Sequence, residues 1–405
     1  MAVLTDTLGD VNGVSRFLND VADCARASGR QLRVFTTTRF AVREHPNLCN
    51  LAPRAHMRLP GYPDLELCVP PRKKLERAVR AFGPHVIHVS TPGPVGLLGR
   101  GLARKLDVPL AGTFHTDFPA YVDHLFGEDS LTAVSRWFMR WFYKPFAMIV
   151  TRSEAYRAEL EKLGLDARRC VRLRPGFHGE RFDPRFRDPH LWRSVGIPAG
   201  GVKILYVGRV SVEKNMPFLA KVWRECSPRD GTAQLVVVGD GPYRETMEDV
   251  LRGSDAYFLG FQSGTALSRV YASGDVFVFP STTDTLGQVV LESQASGLAT
   301  LVSDRGGPRE VILPDRTGLI LRADDAACWA RAIGVFIRDA HARTTMGHAA
   351  AFHAKAYTIE RSFEDFWALH ERLAPGPSEE FKAAVSKADQ LGAKPWSGKG
   401  DSVSP

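Results

Sequence analysis

The chain has 405 residues, 44% of them hydrophobic, enough for two domains of ordinary size with a core in each. Its formal charge of +8 points to an acidic partner (a nucleotide, an anionic membrane surface or a nucleic acid) or simply to an Arg-rich surface. No apolar run approaches the ~20 residues that a bilayer-spanning helix needs, so a membrane could be touched only from its surface.

Six cysteines show neither CxxC pairs nor metal spacing and read as free thiols of a reducing cytosol. No signal peptide is visible, because residues 1–5 (MAVLT) read as a strand. Residues 6–13 (DTLGDVNG) form a polar Gly-containing turn, and 14–27 have helical periodicity. This is a strand–loop–helix phosphate cradle in its loosest form, and by itself a plain βα turn. Residues 31–37 are the second strand. Residues 38–70 are Pro-rich and irregular, with a short strand near 66–69. Residues 71–82 form a basic amphipathic helix and 84–89 a buried strand. A turn and helix over 91–106 lead to a strand, 108–114, that ends at His115-Thr116-Asp117. A neutral imidazole at His115 could donate to a sugar hydroxyl or a phosphate; the plainer reading is a solvated loop histidine.

Residues 131–146 (LTAVSRWFMRWFYKPF) place Trp137, Phe138, Trp141 and Phe142 on one side of a helix. One reading is an interfacial segment resting on anionic lipid. The favoured one is a core-facing helix with basic outer residues. No RNA-module pattern accompanies these aromatics. A strand at 148–150 follows, then Ser153 as N-cap of a helix over 154–163. Residues 171–184 read as an interdomain linker.

In the second half, a buried strand over 202–208 is followed by Arg209 and Lys214, just before a helix. Two cations beside a strand end and a helix N-terminus make a diphosphate site by electrostatics, unless they are scattered charges on a surface turn. Strands at 234–239 and 257–261 flank a turn, Asp240-Gly241-Pro242, that makes no GxGxxG fingerprint. A helix (266–273) and an apolar strand (275–280) precede a loop, 281–287. A helix starting near Gly287 carries Glu292, and 299–302 is the next strand. Asp284 and Glu292 thus sit across a strand–loop–helix junction, where open α/β sheets bind ligands. One carboxylate could meet sugar hydroxyls and the other a ribose diol, or both could be ordinary surface acids. Residues 306–310 are a second Gly-rich strand exit. Residues 325–357 have helical spacing, and 362–373 form a last helix. The tail from 375 has a disorder-prone composition.

Residues 284–307 (DTLGQVVLESQASGLATLVSDRGG) resemble the E-x7-E signature of the group 1 (family four) retaining nucleotide-sugar glycosyltransferases. Asp284 stands in the first glutamate's place and Glu292 is the second. GRVSVEKN at 208–215, VGDGPYRETM at 238–247 and GTFHTDFPAY at 112–121 are similar to further elements of that family. The resemblance covers nearly all of 1–373 and is closest to bacterial mannosyl- and plant sulfoquinovosyl-type lipid transferases. It implies the GT-B fold. Two alternations of strand and helix around one linker already predict two Rossmann-like, doubly wound α/β domains facing a cleft. The expected divisions are an acceptor-side domain at 1–180, a donor-binding domain at 181–355, a crossover helix at 356–374 returning to the first domain, and a disordered tail at 375–405. Relatives usually carry a few residues before the first strand, so a start upstream of Met1 is expected. Two departures stand out: Arg152 occupies a place where the family often has proline, and Phe177-His178 replace Val-Asp in the linker.

The resemblance implies transfer of a hexose from a nucleotide diphosphate sugar, with retention, to an acceptor hydroxyl, the leading expectation being a lipid-linked one. GDP-mannose is the favoured donor and a UDP-sugar the second. Arg209, Lys214 and the Gly13 backbone face the diphosphate, Glu292 the ribose, and Phe261 marks the base. Asp284 and the backbone N–H groups of Thr285, Leu286, Gly287 and Gln288 hold the sugar, with His115 beside it. Asn12, Arg16 and Asp117 lie on the acceptor side. No metal or cofactor is expected, since no Asp-x-Asp pair exists to bridge the diphosphate. The expected setting is the cytoplasm, peripheral to the inner face of a membrane. The competing readings are a nucleotide-sugar epimerase, a non-catalytic sugar-nucleotide binder and a nucleic-acid-binding protein. Acidic cleft residues argue against the last of these, and no nucleic-acid partner is expected.

Overall fold

The structure, a computed structural model, describes residues 1–9, 13–59, 62–115, 129–226, 231–284 and 286–374. The first half alternates short buried strands with amphipathic helices. In chain order these are β1 (Ala2–Thr5), α1 (Gly13–Ala27), β2 (Arg33–Thr36) and β3 (Leu48–Asn50), then a hairpin of β4 (Ala55–Leu59) and β5 (Tyr62–Val69). α2 (Arg72–Phe82), β6 (Ile87–Val89), α3 (Pro94–Leu106), β7 (Leu110–Phe114), α4 (Asp129–Tyr143), β8 (Met148–Thr151), α5 (Glu154–Lys162) and β9 (Cys170–Arg172) follow. The strands outside the hairpin form one parallel sheet in the order β3-β2-β1-β6-β7-β8-β9. The irregular region expected at 38–70 thus contributes an edge strand and a hairpin. β3 pairs with β2, and β4 with β5, which includes the short strand expected near 66–69.

The second half contains α6 (Leu191–Ser194), β10 (Val202–Val207), α7 (Met216–Cys226), β11 (Ala233–Val238), α8 (Arg244–Val250), β12 (Ala256–Gly260) and α9 (Gly264–Ser273). It continues with β13 (Val276–Phe279), α10 (Gln288–Ala295), β14 (Ala299–Ser303), β15 (Gly318–Leu321), α11 (Ala326–Arg338), α12 (Ala340–Ala354) and α13 (Ile359–Glu371). Its sheet is also parallel, ordered β12-β11-β10-β13-β14-β15. Fully buried runs such as VKILYV and AQLVVV are what a sheet covered on both faces requires. Strand order reverses between β1 and β6 in the first sheet and between β10 and β13 in the second. Crevices open at such reversals, outside the carboxyl ends of the strands.

One face of the first sheet packs α2, α3 and α4 through Leu75, Val79, Val95, Leu102, Met139 and Phe142, with Phe146 in the turn after α4. The other packs α1 through Phe17, Leu18 and Val21, together with Phe363 and Phe366 of α13. The chain therefore returns to its first half at its end. The Phe177 and Ile359 backbones pair there, Ser362 Oγ donates to the Arg174 carbonyl at 2.6 Å, and Arg30 grips Glu364 with two bonds of 2.7 Å. Gly176 permits the crossing, since a Cβ there would lie 2.7 Å from the Thr358 carbonyl oxygen.

Candidate active site

The reversal between β10 and β13 collects several of the residues expected to face a donor. β10 ends at Val207, and a single 3-10 turn, Val212–Lys214, follows Arg209. Asn215 closes that turn at φ 61°, a conformation asparagine tolerates. The Tyr206 hydroxyl donates to the Arg209 carbonyl at 2.8 Å, and the Arg209 Nε lies 3.9 Å from Glu213. Lys214 Nζ reaches Asp284 Oδ1 at 2.8 Å. Asp284 Oδ2 is buried without a hydrogen-bond partner among the described residues. The Asp284 loop is held by its own backbone, with Gly307 N donating to the Asp284 carbonyl at 2.8 Å and Thr283 Oγ1 donating to the Glu213 carbonyl at 3.0 Å.

Gly287 precedes α10 at φ 66°, packed so closely on Pro308 that a Cβ would lie 2.7 Å from Cγ. α10 therefore begins abruptly at Gln288; the first N–H groups of a helix have no carbonyl within it to pair with, and of these Val290 N turns back to the Gly287 carbonyl at 2.8 Å. Leu286 is buried beneath it. Lys214, Asp284 and the start of α10 thus converge at one crevice.

Glu292, one turn into α10, is 1% exposed. Arg16 Nη1 of α1, in the other half of the molecule, donates to its Oε1 at 2.6 Å, and the Tyr271 hydroxyl donates to its Oε2 at 3.1 Å. Burial pushes the Glu292 carboxyl up, and the Arg16 guanidinium partly counters it. Arg16, expected on the acceptor side, thus spans the crevice to the carboxylate expected to hold ribose. Gly13 starts α1. Asn12, Asp117 and Thr285 lie outside the described residues. Phe261, 64% exposed, follows β12 at the sheet edge, two strands from the reversal.

On the facing sheet, His115 follows β7, and its Nε2 shares a 2.8 Å hydrogen bond with Ser90 Oγ at the end of β6. Burial holds the imidazole down to about 3, so it is neutral. The Phe17 ring meets it edge-on at 6.0 Å. Asp6, at the end of β1, accepts from Val95 N at 2.7 Å and from Thr91 Oγ1 at 2.7 Å, capping α3.

Several site-forming residues escaped the sequence reading: Asp6, Asp20, Tyr156, Tyr271 and Glu310. The Glu310 carboxylate accepts from Ser153 Oγ and from Glu154 N at 2.9 Å, and Arg172 lies 3.4 Å from it. Ser153 itself makes no capping bond to α5, contrary to the N-cap expected there; Glu310, from the other half, supplies the cap. Tyr156 also crosses, donating to the Thr283 carbonyl at 2.9 Å. A local signal existed only for Glu310, in the GGPRE strand exit.

α4 adds to another expectation. Phe142 and Met139 are buried, but Trp137 is 66% exposed and Trp141 42%. The helix faces the core and carries Arg136 and Arg140 outward, as expected, but its outer face also carries Trp137 and Trp141. Among the described residues no helix is long and apolar enough to cross a membrane, and no three His, Cys, Asp or Glu side chains gather as a metal site requires.

Residues 11–181 match the model of glycosyltransferase family 4, and 201–339 match that of the group 1 glycosyl transferases. A GDP-mannose-dependent alpha-mannosyltransferase of Mycobacterium tuberculosis is 32% identical over 78% of this chain and 81% of its own. The chain belongs to the group 1, family 4 glycosyltransferases. This transferase is also 31% identical to a sulfoquinovosyl transferase of Arabidopsis thaliana, over 74% of the chain and 58% of that longer protein. Its fold is GT-B: the sucrose-phosphate synthase of Thermosynechococcus elongatus superposes with a TM-score of 0.75 at 20% identity, over 92% of this chain and 98% of the other. The transferase is accordingly a retaining hexosyltransferase that uses a nucleotide-sugar donor.

Proposed function

We propose that the transferase moves mannose from GDP-mannose, with a UDP-sugar as second choice, to a lipid-linked acceptor at an anionic membrane surface. The observation that carries the donor side is the meeting of Lys214, Asp284 and the start of α10 at the β10–β13 reversal. The departing diphosphate gains negative charge in the transition state. Arg209, Lys214, the Gly13 backbone and the α10 N–H groups stabilise that charge, and stabilisation specific to the transition state is what accelerates a reaction. Glu292 holds the ribose once Arg16 gives way. Asp284 and the N–H groups of residues 285–288 hold the sugar, and neutral His115 donates to it. Attack comes from the face that the diphosphate leaves, and the leaving phosphate takes the acceptor proton. The GDP-mannose dependence of the mycobacterial relative favours that donor.

The lipid surface rests on α2, α3 and α4, which lie side by side on one face of the first sheet. They expose Leu97, Leu131, Val134, Trp137 and Trp141 among Arg72, Lys73, Lys74, Arg104, Arg136 and Arg140. Tryptophan among lysines and arginines is the chemistry of an interfacial face. The test is thermal stabilisation against GDP-, UDP-, ADP- and CDP-sugars without added metal. A shift with one nucleotide alone establishes the donor class; no shift with any, at high ligand, would overturn the donor site.

A further inference from the structure

Arg152 directly follows β8 at the carboxyl edge of the first sheet, beside the exits of β6 and β7 that carry Ser90 and His115. It is 6% exposed. Its guanidinium lies over the Phe17 ring at 4.6 Å, and the same ring meets His115. It makes no hydrogen bond or ion pair among the described residues, and its Nε is fully buried and unpartnered. Asp20 is the carboxylate whose field reaches it; Asp20 Oδ1 is engaged by His178 Nε2 at 2.8 Å, while Oδ2 is buried and bonds no described residue, Arg152 included. Burial holds the guanidinium down to about 10, so it remains charged at neutral pH. A buried cation that no carboxylate bonds directly destabilises a fold, and an apolar side chain of similar length would avoid that cost. A cation kept there at the edge of the cleft fits an anion that arrives with a ligand, and the planar guanidinium fork matches a phosphate.

We propose that Arg152 anchors an acceptor subsite for a phosphate ester, placing that group next to Ser90 and His115. The inference rests on the transfer reading above, since it takes the cleft edge of the first sheet as the acceptor side. It adds a substrate class: an acceptor bearing a phosphate close to the hydroxyl that is glycosylated.

The test uses the full chain, saturated with whichever nucleoside diphosphate stabilises it, so that Arg209 and Lys214 are already occupied. Melting is then followed with inorganic phosphate, glycerol 3-phosphate, glycerol, and dihexanoyl phosphatidylglycerol below its micelle concentration. Wild type should respond to inorganic phosphate and to at least one phosphate ester, but not to glycerol. A response to glycerol 3-phosphate indicates a soluble monoester; a response to the phosphatidylglycerol without it indicates a lipid phosphodiester. Arg152→Met should keep the nucleotide response, weaken the phosphate response roughly tenfold or more, and melt no lower than wild type. If that variant fails to fold, Arg152→Lys keeps the charge without the fork and should weaken the response in part. An undiminished phosphate response in either variant, or a wild type deaf to every phosphate, overturns the subsite. So does an Arg152→Met variant that folds but melts well below wild type, which would mark a structural cation bridged to Asp20. A protein that responds to no nucleoside diphosphate, yet shows an Arg152-dependent phosphate response, would sink the donor reading and leave the subsite standing.

Discussion

Lys214 and Asp284 neutralise one another across 2.8 Å, each about a quarter exposed or less. A donor diphosphate beside Lys214 would draw the ammonium towards itself and release Asp284 for a sugar hydroxyl. Lys214→Ala should therefore lower kcat/KM by roughly 10²–10³, the range for losing one donor to developing charge. It should cost only about 1 kcal/mol of stability, because the pair is partly solvated. Steady-state transfer assays and urea melts separate the two effects. Glu292 is different, since it is buried and both of its oxygens are bonded. Glu292→Gln removes the charge that Arg16 answers across the crevice. It should destabilise by about 2 kcal/mol, below the 3–5 of a fully buried pair because Arg16 is a third exposed, and should abolish nucleotide stabilisation. An unchanged nucleotide response would remove Glu292 from the donor site. Asp284 and Glu292 were legible in the sequence as a pair of acids at a strand–helix junction. Their partners Lys214 and Arg16 were legible as cations, but the pairing was not, because Arg16 lies 276 positions from Glu292.

At the scale of elements, α4 shows how far periodicity reaches. Helical spacing announced the helix and its aromatic content. It could not say which aromatics face inward, because Trp137 and Trp141 lie close to Phe138 and Phe142 on the helical wheel, and only α3 beneath decides. Arg100 of α3 lies 4.0 Å from the Trp141 ring and bonds the Trp141 carbonyl at 3.1 Å, leaving the indoles at the rim. Trp137→Ser with Trp141→Ser should cut binding to phosphatidylglycerol vesicles roughly tenfold or more and shift the melting point little, since exposed indoles add little to folding. Equal vesicle binding would place the membrane face elsewhere. α1 makes the second case. Asp20 is hydrogen-bonded to His178 of the linker, and that bond raises the imidazole pKa. A histidine raised in the folded state contributes stability that is fully present below the unfolded pKa of about 6.5 and is lost as pH rises through the folded value. Urea melts of Asp20→Asn should therefore show a smaller stability difference between pH 6 and pH 9 than wild type. His178 stands where the resembled family has aspartate, and here it is bonded to Asp20 at 2.8 Å.

For the whole molecule, three buried histidines act in the opposite sense. His88 of β6 sits between Thr113 Oγ1 at 2.9 Å and His370 Nε2 at 2.8 Å, tying α13 to the first sheet. Burial keeps His88 well below its ordinary value, His370 near 4 and His115 near 3. Groups depressed in this way are protonated first in the unfolded chain, so the stability they confer is present above pH about 6.5 and falls away as pH drops towards 4. Stability should therefore decline steeply between pH 6 and 4.5, against the opposite contribution of His178. His370→Asn should flatten that decline, as followed by Trp fluorescence in urea. What the sequence determined by itself was the sum of local facts: two series of buried strands and amphipathic helices, cations after β10, acids around α10, and a last apolar helix. Each follows from periodicity or from short-range backbone chemistry, which neighbouring residues suffice to impose. The tertiary structure alone decided which of these meet: Arg16 with Glu292, Glu310 with the start of α5, His88 with His370, and Arg152 with no hydrogen-bonded counter-charge among the described residues. Those outcomes depend on where two sheets and a returning helix come to rest. That is set by the packing of cores remote from the charged residues, and no window of sequence contains it.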